Sequence, residues 1–327
     1  MTKLVTIFGG SGFVGRYITW HLARQGWRIR VAVRRPNEAL FVRPYGVVGQ
    51  VEPIFCNIRD DASVAEVLSD ADAVVNCVGV LAEDGKNTFE AVQAEGAGRI
   101  ARLASAAGIT RMVHVSAIGA DPDSASAYAR SKADGEAQVL AHQPDAVILR
   151  PSIIFGPEDG FFNRFAGMAR MGPILPIIGP ETRFQPVYVD DVARAAVKAV
   201  NGEVPGGVYE LGGPEVATFR DLMHRMLQII RRRRLVMSVP FPIAGLQGSI
   251  LDLASKVSLG LWTNTVLTRD QVKLLRHDNV VAPGAKGFGD LGIAPVAMGT
   301  VLESYLYKYR PNGQYDAIQE SAAGLKG

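Results

Sequence analysis

Along the first half of the chain, short apolar runs alternate with stretches whose apolar positions recur every three to four residues. The runs predict strands over Leu4–Phe8, Arg28–Val33, Val51–Phe55, Ala73–Asn76, Met112–Val115 and Ala146–Leu149. The helical spacing between them predicts helices over Val14–Gln25, Ser63–Leu68, Phe89–Ala107 and Ser126–His142. Such alternation argues for an α/β fold, a doubly wound parallel sheet with right-handed crossovers. After Arg150 the rhythm breaks. Gly and Pro become frequent between Pro151 and Pro186, then QPVYVDDVARAAVKAV resumes a strand followed by a helix, and GGVYELGG adds a last strand. The expected division is a first domain over 1–150, with 186–213 returning to it. A smaller, mostly helical C-terminal domain takes 151–185 and 214–327 and ends in a polar tail from Pro311.

Within that second domain lies RRRRLVMSVPFPIAGLQGSILDLASKVSLGLW, where Ile243, Leu246, Ile250, Leu253 and Val257 form one helical stripe. Two prolines at its start and Asp252 and Lys256 within it deny the uninterrupted run of about 20 apolar residues that a membrane span needs. Arg231–Arg234 followed by such a stripe suits an acidic partner or an anionic lipid surface. It reads equally as a solvated helix end followed by ordinary core helices.

Composition narrows the class. The chain has 327 residues, more than one core usually takes, and 48% are apolar. A net charge of +3, with no basic stripe interleaved with aromatics, argues against nucleic acid. The first predicted strand begins so early that no room is left for a leader peptide, so the expectation is a bacterial protein of a reducing compartment. Cys56 and Cys77 each follow a predicted strand. In strand order 3-2-1-4 they stand about 14 Å apart, beyond the roughly 7 Å a disulfide tolerates, so both are expected free. The five histidines are scattered and no spacing suggests a metal.

Chemistry-bearing residues sit where strands end. Gly9, Gly12 and Gly15 lie between the first strand and the first helix. There, Gly9 permits a tight turn, Gly12 a close backbone approach to a pyrophosphate, and Gly15 close helix packing. With Ser11, Phe13 and Val14 they form a phosphate cradle facing the positive end of a helix. An NAD-preferring cradle carries a carboxylate at the end of the second strand. Here Arg34 and Arg35 stand there instead, suited to a 2′-phosphate, and Arg16 adds to that pocket, so the expected cofactor is NADP(H). Asn57 and Ile58 follow the third strand, where an adenine edge is held, and Val78 and Gly79 follow the fourth. Tyr128 and Lys132, four apart, share one helix face, where the lysine favours the phenolate and reaches a nicotinamide ribose. Ser116, ending the fifth strand, is placed to orient a carbonyl. Asp190 and Asp191 are expected to cap a helix, His114 to be a core residue, and Trp262 and Phe288 to be packing anchors.

GGSGFVG, HVSAIGA, YARSK, LRPSIIFG and QPVYVDDVA resemble the motifs of the extended and atypical short-chain dehydrogenase/reductase superfamily over about residues 1–215. The resemblance implies a Rossmann domain, Ser116, Tyr128 and Lys132 at the active positions, and Arg150-Pro151-Ser152 passing the nicotinamide. One departure is Gln93 in VQAEGA, where extended members carry Asn. A narrower similarity runs through FFNRFAGMARMGPILPIIG, WTNTVLTRDQVKLLRHDNVV and FGDLGIAPVAM. It is to the nucleotide-binding accessory subunit of respiratory complex I, alpha-subcomplex subunit nine. That implies tightly held NADPH, the catalytic residues kept as ribose and nicotinamide contacts, other complex I subunits as partners, and a peripheral place on the cytoplasmic side of a bacterial inner membrane. The alternative is a soluble NADPH-dependent reductase, or a sugar-nucleotide epimerase or dehydratase, working through Ser116, Tyr128 and Lys132.

Overall fold

A computed structural model describes residues 3–257, 264 and 267–313; the side chains of 253–257 are outside the described set. Trp262 and most of the polar tail therefore lie outside the described residues. Strands β1 (Leu4–Phe8), β2 (Arg28–Val33), β3 (Val51–Phe55), β4 (Ala73–Asn76), β5 (Met112–Val115) and β6 (Val147–Pro151) alternate with helices α1 (Phe13–Arg24), α2 (Asp61–Leu68), α3 (Glu95–Ala106) and α4 (Ala127–His142). Beyond them come β7 (Ile154–Phe155), α5 (Phe162–Met171), β8 (Ile174–Ile178), β9 (Arg183–Phe184), β10 (Val187–Tyr188), α6 (Val189–Asn201) and β11 (Gly207–Leu211). The chain continues with β12 (Ala217–Thr218), α7 (Phe219–Ile229), β13 (Leu235–Val239), α8 (Phe241–Val257), α9 (Arg269–Leu274) and α10 (Met298–Leu306).

Seven strands form one parallel sheet in the order β11-β6-β5-β4-β1-β2-β3. This is the doubly wound, Rossmann-like α/β arrangement the sequence predicts. β1, β4 and β5 are buried at every position, as strands covered on both faces by helices must be. Alternation sorts their side chains. Val5, Ile7, Val31 and Val75 join Ile18 and Leu22 of α1 and Val192 and Val200 of α6 in one core. Phe8, Ala32, Val74 and Ile148 join Val64, Ile100 and Val139 of α2, α3 and α4 in the other. Cys56 and Cys77 are free and directly follow β3 and β4, the strands that flank the β2-β1 pair in the sheet order.

A further core gathers Leu175, Met223, Leu302 and Tyr305 around six contacting phenylalanine rings, Phe155, Phe161, Phe162, Phe165, Phe184 and Phe219. Three differences from the periodicity stand out. Residues Pro36–Tyr45 form a long 3-10 turn rather than a loop, opened by its proline. The strand expected in QPVYVDD is only the two residues of β10, paired with β7 outside the main sheet. Glu90–Ala94 is a π turn ahead of α3, not plain helix. No helix among the described residues is long and apolar enough to cross a membrane.

Candidate functional site

The strand order reverses between β1 and β4 while every strand stays parallel, and the predicted site residues lie at the carboxyl ends of the strands around this switch. Gly9 is held at φ +74°, a conformation that favours glycine. A methyl on Gly15 would lie 2.3 Å from the Gly9 carbonyl oxygen and 2.7 Å from the Gly10 Cα, so only hydrogen lets α1 approach β1 this closely. α1 starts after Gly12 with no side-chain cap. An anion is the complement such an uncapped helix start lacks, and a dinucleotide pyrophosphate fits the cradle.

Three of the predicted arginines are differently engaged. Arg34 is exposed at the end of β2. Arg35 pairs with Glu38 at 3.0 Å, both largely exposed. Arg16 stacks 4.9 Å from the Phe41 ring and reaches Glu158 at 3.6 Å, across the cradle. Asn57 turns its side-chain oxygen back to accept from the Arg59 N–H at 3.2 Å, and Ile58 packs against the α3 backbone at Gly96. Val78 faces Gly9, and its N–H donates to Asn76 at 3.0 Å. Asn76 in turn donates to His114 Nδ1 at 3.1 Å. His114 is buried in the core, and burial, aided by Lys132, pushes its imidazole down to about 3, so it stays neutral.

The reactive end is built on one face of α4, where Tyr128, Lys132 and Glu136 recur every four residues. Lys132 Nζ donates to the Val115 carbonyl at 3.3 Å and lies 6.0 Å from the centre of the Tyr128 ring. Burial pulls the Lys132 ammonium down to about 8 against the opposing pull of Glu136. Burial also pushes the Tyr128 phenol up to about 12, so the expected phenolate is not what this geometry favours. The Tyr128 ring rests edge-on against Phe89 at 5.8 Å. Gln93, placed by the π turn, donates to Ser131 at 3.2 Å and leaves its buried oxygen without a partner beside Gly79. An unpartnered buried oxygen at this spot is a feature a ligand hydroxyl or amide satisfies.

Ser116 is buried at the end of β5. Its hydroxyl donates to Glu136, which also holds Arg150 through three bonds of 2.6 to 3.1 Å. Arg150 reaches Glu210 at 3.6 Å as well, so its guanidinium bridges two carboxylates. Pro151, buried at the end of β6, accepts from the Ile118 N–H at 3.0 Å. Asp190 and Asp191 do not cap α6 with their side chains. Asp190 binds His21 of α1 at 2.6 Å, while buried Asp191 holds Arg194 and the Val296 N–H, tying the helix to its neighbours. Phe288 is a packing anchor in the sheet core, as expected.

Two residues that carry the site are ones the sequence reading missed. Glu136 was signalled by its spacing from Lys132 on the same helix face. Asp270, from α9, accepts from the Ser126 hydroxyl at 2.6 Å and from the backbone N–H of Ala127 and Tyr128 at 2.8 and 3.1 Å. Nothing local announces a partner that distant in sequence.

A nucleotide cradle at the switch of a doubly wound sheet, with a tyrosine and a lysine four apart at its reactive end, defines the class. The chain belongs to the NAD dependent epimerase/dehydratase family, whose pattern matches residues 5–212. Over 316 residues it is 35% identical to the mitochondrial NADH dehydrogenase [ubiquinone] 1 alpha subcomplex subunit 9 of Arabidopsis thaliana, covering 95% of this chain and 79% of that one. That similarity bears out the resemblance carried by the FFNRFAGMARMGPILPIIG and LTRDQVKLL segments. The chain is also 30% identical over 257 residues to the ceramide reductase of Caulobacter vibrioides, covering 78% of this chain and 79% of that one. Among solved structures, the Bordetella bronchiseptica enzyme WbmH in complex with NAD+ superposes with a TM-score of 0.68 at 17% identity, covering 96% of this chain and all of that one.

Proposed function

We propose that this chain is an accessory subunit of a bacterial NADH:quinone oxidoreductase that holds NADP(H) without turning it over. Its place in this reading is peripheral, on the cytoplasmic side of the inner membrane, against other subunits of the complex. The observation that carries the proposal is the commitment of Ser116. A hydroxyl whose proton is given to a buried, Arg150-paired carboxylate has none to give a substrate carbonyl. A Tyr128 phenol held well above neutral pH adds to this, since proton transfer is favoured when acid and operating pH match. Similarity to complex I subunits over nearly the whole chain supports the choice of partner.

In this reading Gly9, Ser11, Gly12, Phe13, Val14 and Gly15 hold the pyrophosphate, and Arg34, Arg35 and Arg16 the 2′-phosphate side. Asn57 and Ile58 border the adenine. Val78, Gly79, Tyr128, Lys132 and Pro151 hold the nicotinamide half. A bound nicotinamide supplies hydride chemistry in related folds; here these residues bind, orient and bury it. Arg231 and Arg233 are exposed and suit anionic lipid headgroups, whereas Arg232 and Arg234 turn inward to the Tyr309 and Ala169 carbonyls.

The second reading, a soluble NADPH-dependent reductase, is favoured by the Tyr128 and Lys132 pair and by the similarity to a ceramide reductase. Native pull-down of the tagged chain from gently solubilised membranes separates the two. Recovery with the other subunits of an NADH:quinone oxidoreductase and stoichiometric NADP(H) is expected. Recovery of the chain alone, from the soluble fraction and with freely exchanging nucleotide, sinks the subunit reading and leaves the reductase.

A further inference from the structure

Helix α4 carries Tyr128 and Lys132, yet its start is completed by a residue from the far end of the chain. Ser126 is the N-cap, and its hydroxyl accepts from the Ala129 N–H at 3.2 Å. That satisfies one of the free donors of the first turn and leaves those of Ala127 and Tyr128. Asp270 takes both, one on each carboxylate oxygen, and accepts the Ser126 hydroxyl proton as well. Lys273, one turn further along α9, donates to the Ala125 carbonyl at 2.9 Å. α9 is itself held in register by a capping box between Thr268 and Gln271, and the Arg269 N–H is bound to Asp252 of α8 at 2.9 Å. The carboxylate is thus a fixed group, not a surface side chain that happens to reach the helix.

We propose that Asp270 is a positioning residue for the nicotinamide half of the nucleotide. It acts through the first turn of α4, whose backbone sets where the Tyr128 ring and, one turn on, the Lys132 ammonium stand. The inference rests on the NADP(H) reading given above and deepens it. A negative charge at a helix N-terminus, bonded to two of its N–H groups, is the arrangement that holds a first turn most firmly. Removing it frays the turn that carries Tyr128, while the Lys132 side chain remains anchored to Val115.

The adenosine half of the nucleotide is insensitive to this turn. Its residues end β2 and β3, three and four strands from β5 in the sheet order, about 14 Å or more away at the usual strand spacing. A structural defect reaches both halves; a positioning defect reaches one. The test is equilibrium binding of NADPH and of adenosine 2′,5′-bisphosphate to the full-length wild type and to Asp270→Ala. The expected result is an NADPH dissociation constant raised about tenfold, with the adenosine bisphosphate constant unchanged within about twofold. No change in either constant overturns the proposal, and so does an equal weakening of both. A wild type that binds neither ligand overturns the dinucleotide reading itself, a failure distinct from the other two. If Asp270→Ala does not accumulate as a folded chain, Ser126→Ala, which removes the hydroxyl Asp270 shares with the cap, is read by the same criteria.

Discussion

Arg34 and Arg35 stand side by side at the end of β2, yet they meet a nucleotide on different terms. Arg35 must first leave Glu38, a solvated pair worth at most about 1 kcal/mol, whereas Arg34 is exposed with no such partner among the described residues. A 2′-phosphate offers both a charge-assisted bond of roughly 1.5–3 kcal/mol, which far exceeds the cost of releasing Glu38. Replacing both with Ala is expected to weaken NADPH binding at least about tenfold while NADH binding changes little. Equal losses in a titration with the two nucleotides would remove the 2′-phosphate assignment. Lys132 gives a prediction in pH. Its folded-state value of about 8 lies below the ordinary 10.5, so between those values the unfolded chain binds more protons than the folded one. Stability carried by this group therefore rises with pH through that window and is lowest below it. Lys132→Met removes the buried charge. The nucleotide-free variant is expected to exceed wild type in urea stability at pH 7.5, with the gap narrowing by on the order of 2 kcal/mol at pH 9.5. A gap that does not narrow means the ammonium is not strained by burial.

At the scale of elements, the contact that aims the site is between α4 and the π turn before α3. A methyl on Gly135 would lie 2.2 Å from the Gln93 carbonyl oxygen, a clash with backbone that no rotamer relieves. Gly135→Ala gains about 1 kcal/mol of helix propensity but loses roughly 1–3 kcal/mol to overpacking, so the loss prevails. It also pushes Gln93 away from Ser131 and Gly79. The variant is expected to unfold at lower urea and to release NADPH faster; a net stabilisation would show that the π turn yields freely. The ends of α4 and the run of the central strands were legible because they rest on local signals: Ser126 as a cap, and uninterrupted apolar runs in β1, β4 and β5. The π turn was not, because its apolar positions match those of a helix, and its close approach to Gly135 is a packing contact between distant segments. Ser116 illustrates a limit of the same kind at the site. Its place at a strand end was readable, but the partner that consumes its hydroxyl depends on Glu136 being buried beside Arg150. Asp270 was beyond reach altogether, since its partners, one hydroxyl and two backbone N–H groups, lie 142 to 144 residues earlier.

At the scale of the whole molecule, α8 and β13 turn a set of large apolar side chains outward. The helical stripe read from the sequence does form α8, but its described members point outward: Ile243, Leu246 and Ile250 are 57%, 64% and 58% exposed, while Ala244 on the other face is buried. Leu235 and Met237 of the neighbouring β13 are exposed as well. Scattered surface leucines need no explanation, but three large apolar side chains in register on one helix are the kind of face the proposed subunit role needs for docking. The alternative of an ordinary core helix is thus excluded for this face. The nucleotide cradle lies elsewhere in the chain, at the ends of β1, β2 and β4, so covering the face and holding the nucleotide are separable by mutation. Leu246→Glu together with Ile250→Glu places two charges where the isolated chain already meets water, so folding and NADPH affinity are expected to stay within about twofold of wild type. Association with the respiratory complex is expected to be lost, because each carboxylate would be buried without a partner. The measurement is co-purification of the double variant from gently solubilised membranes, with bound nucleotide quantified in the same eluate. Complex subunits recovered at wild-type yield would rule this face out as the docking surface, whereas their loss with nucleotide retained would locate assembly on α8 and storage of the dinucleotide on the sheet.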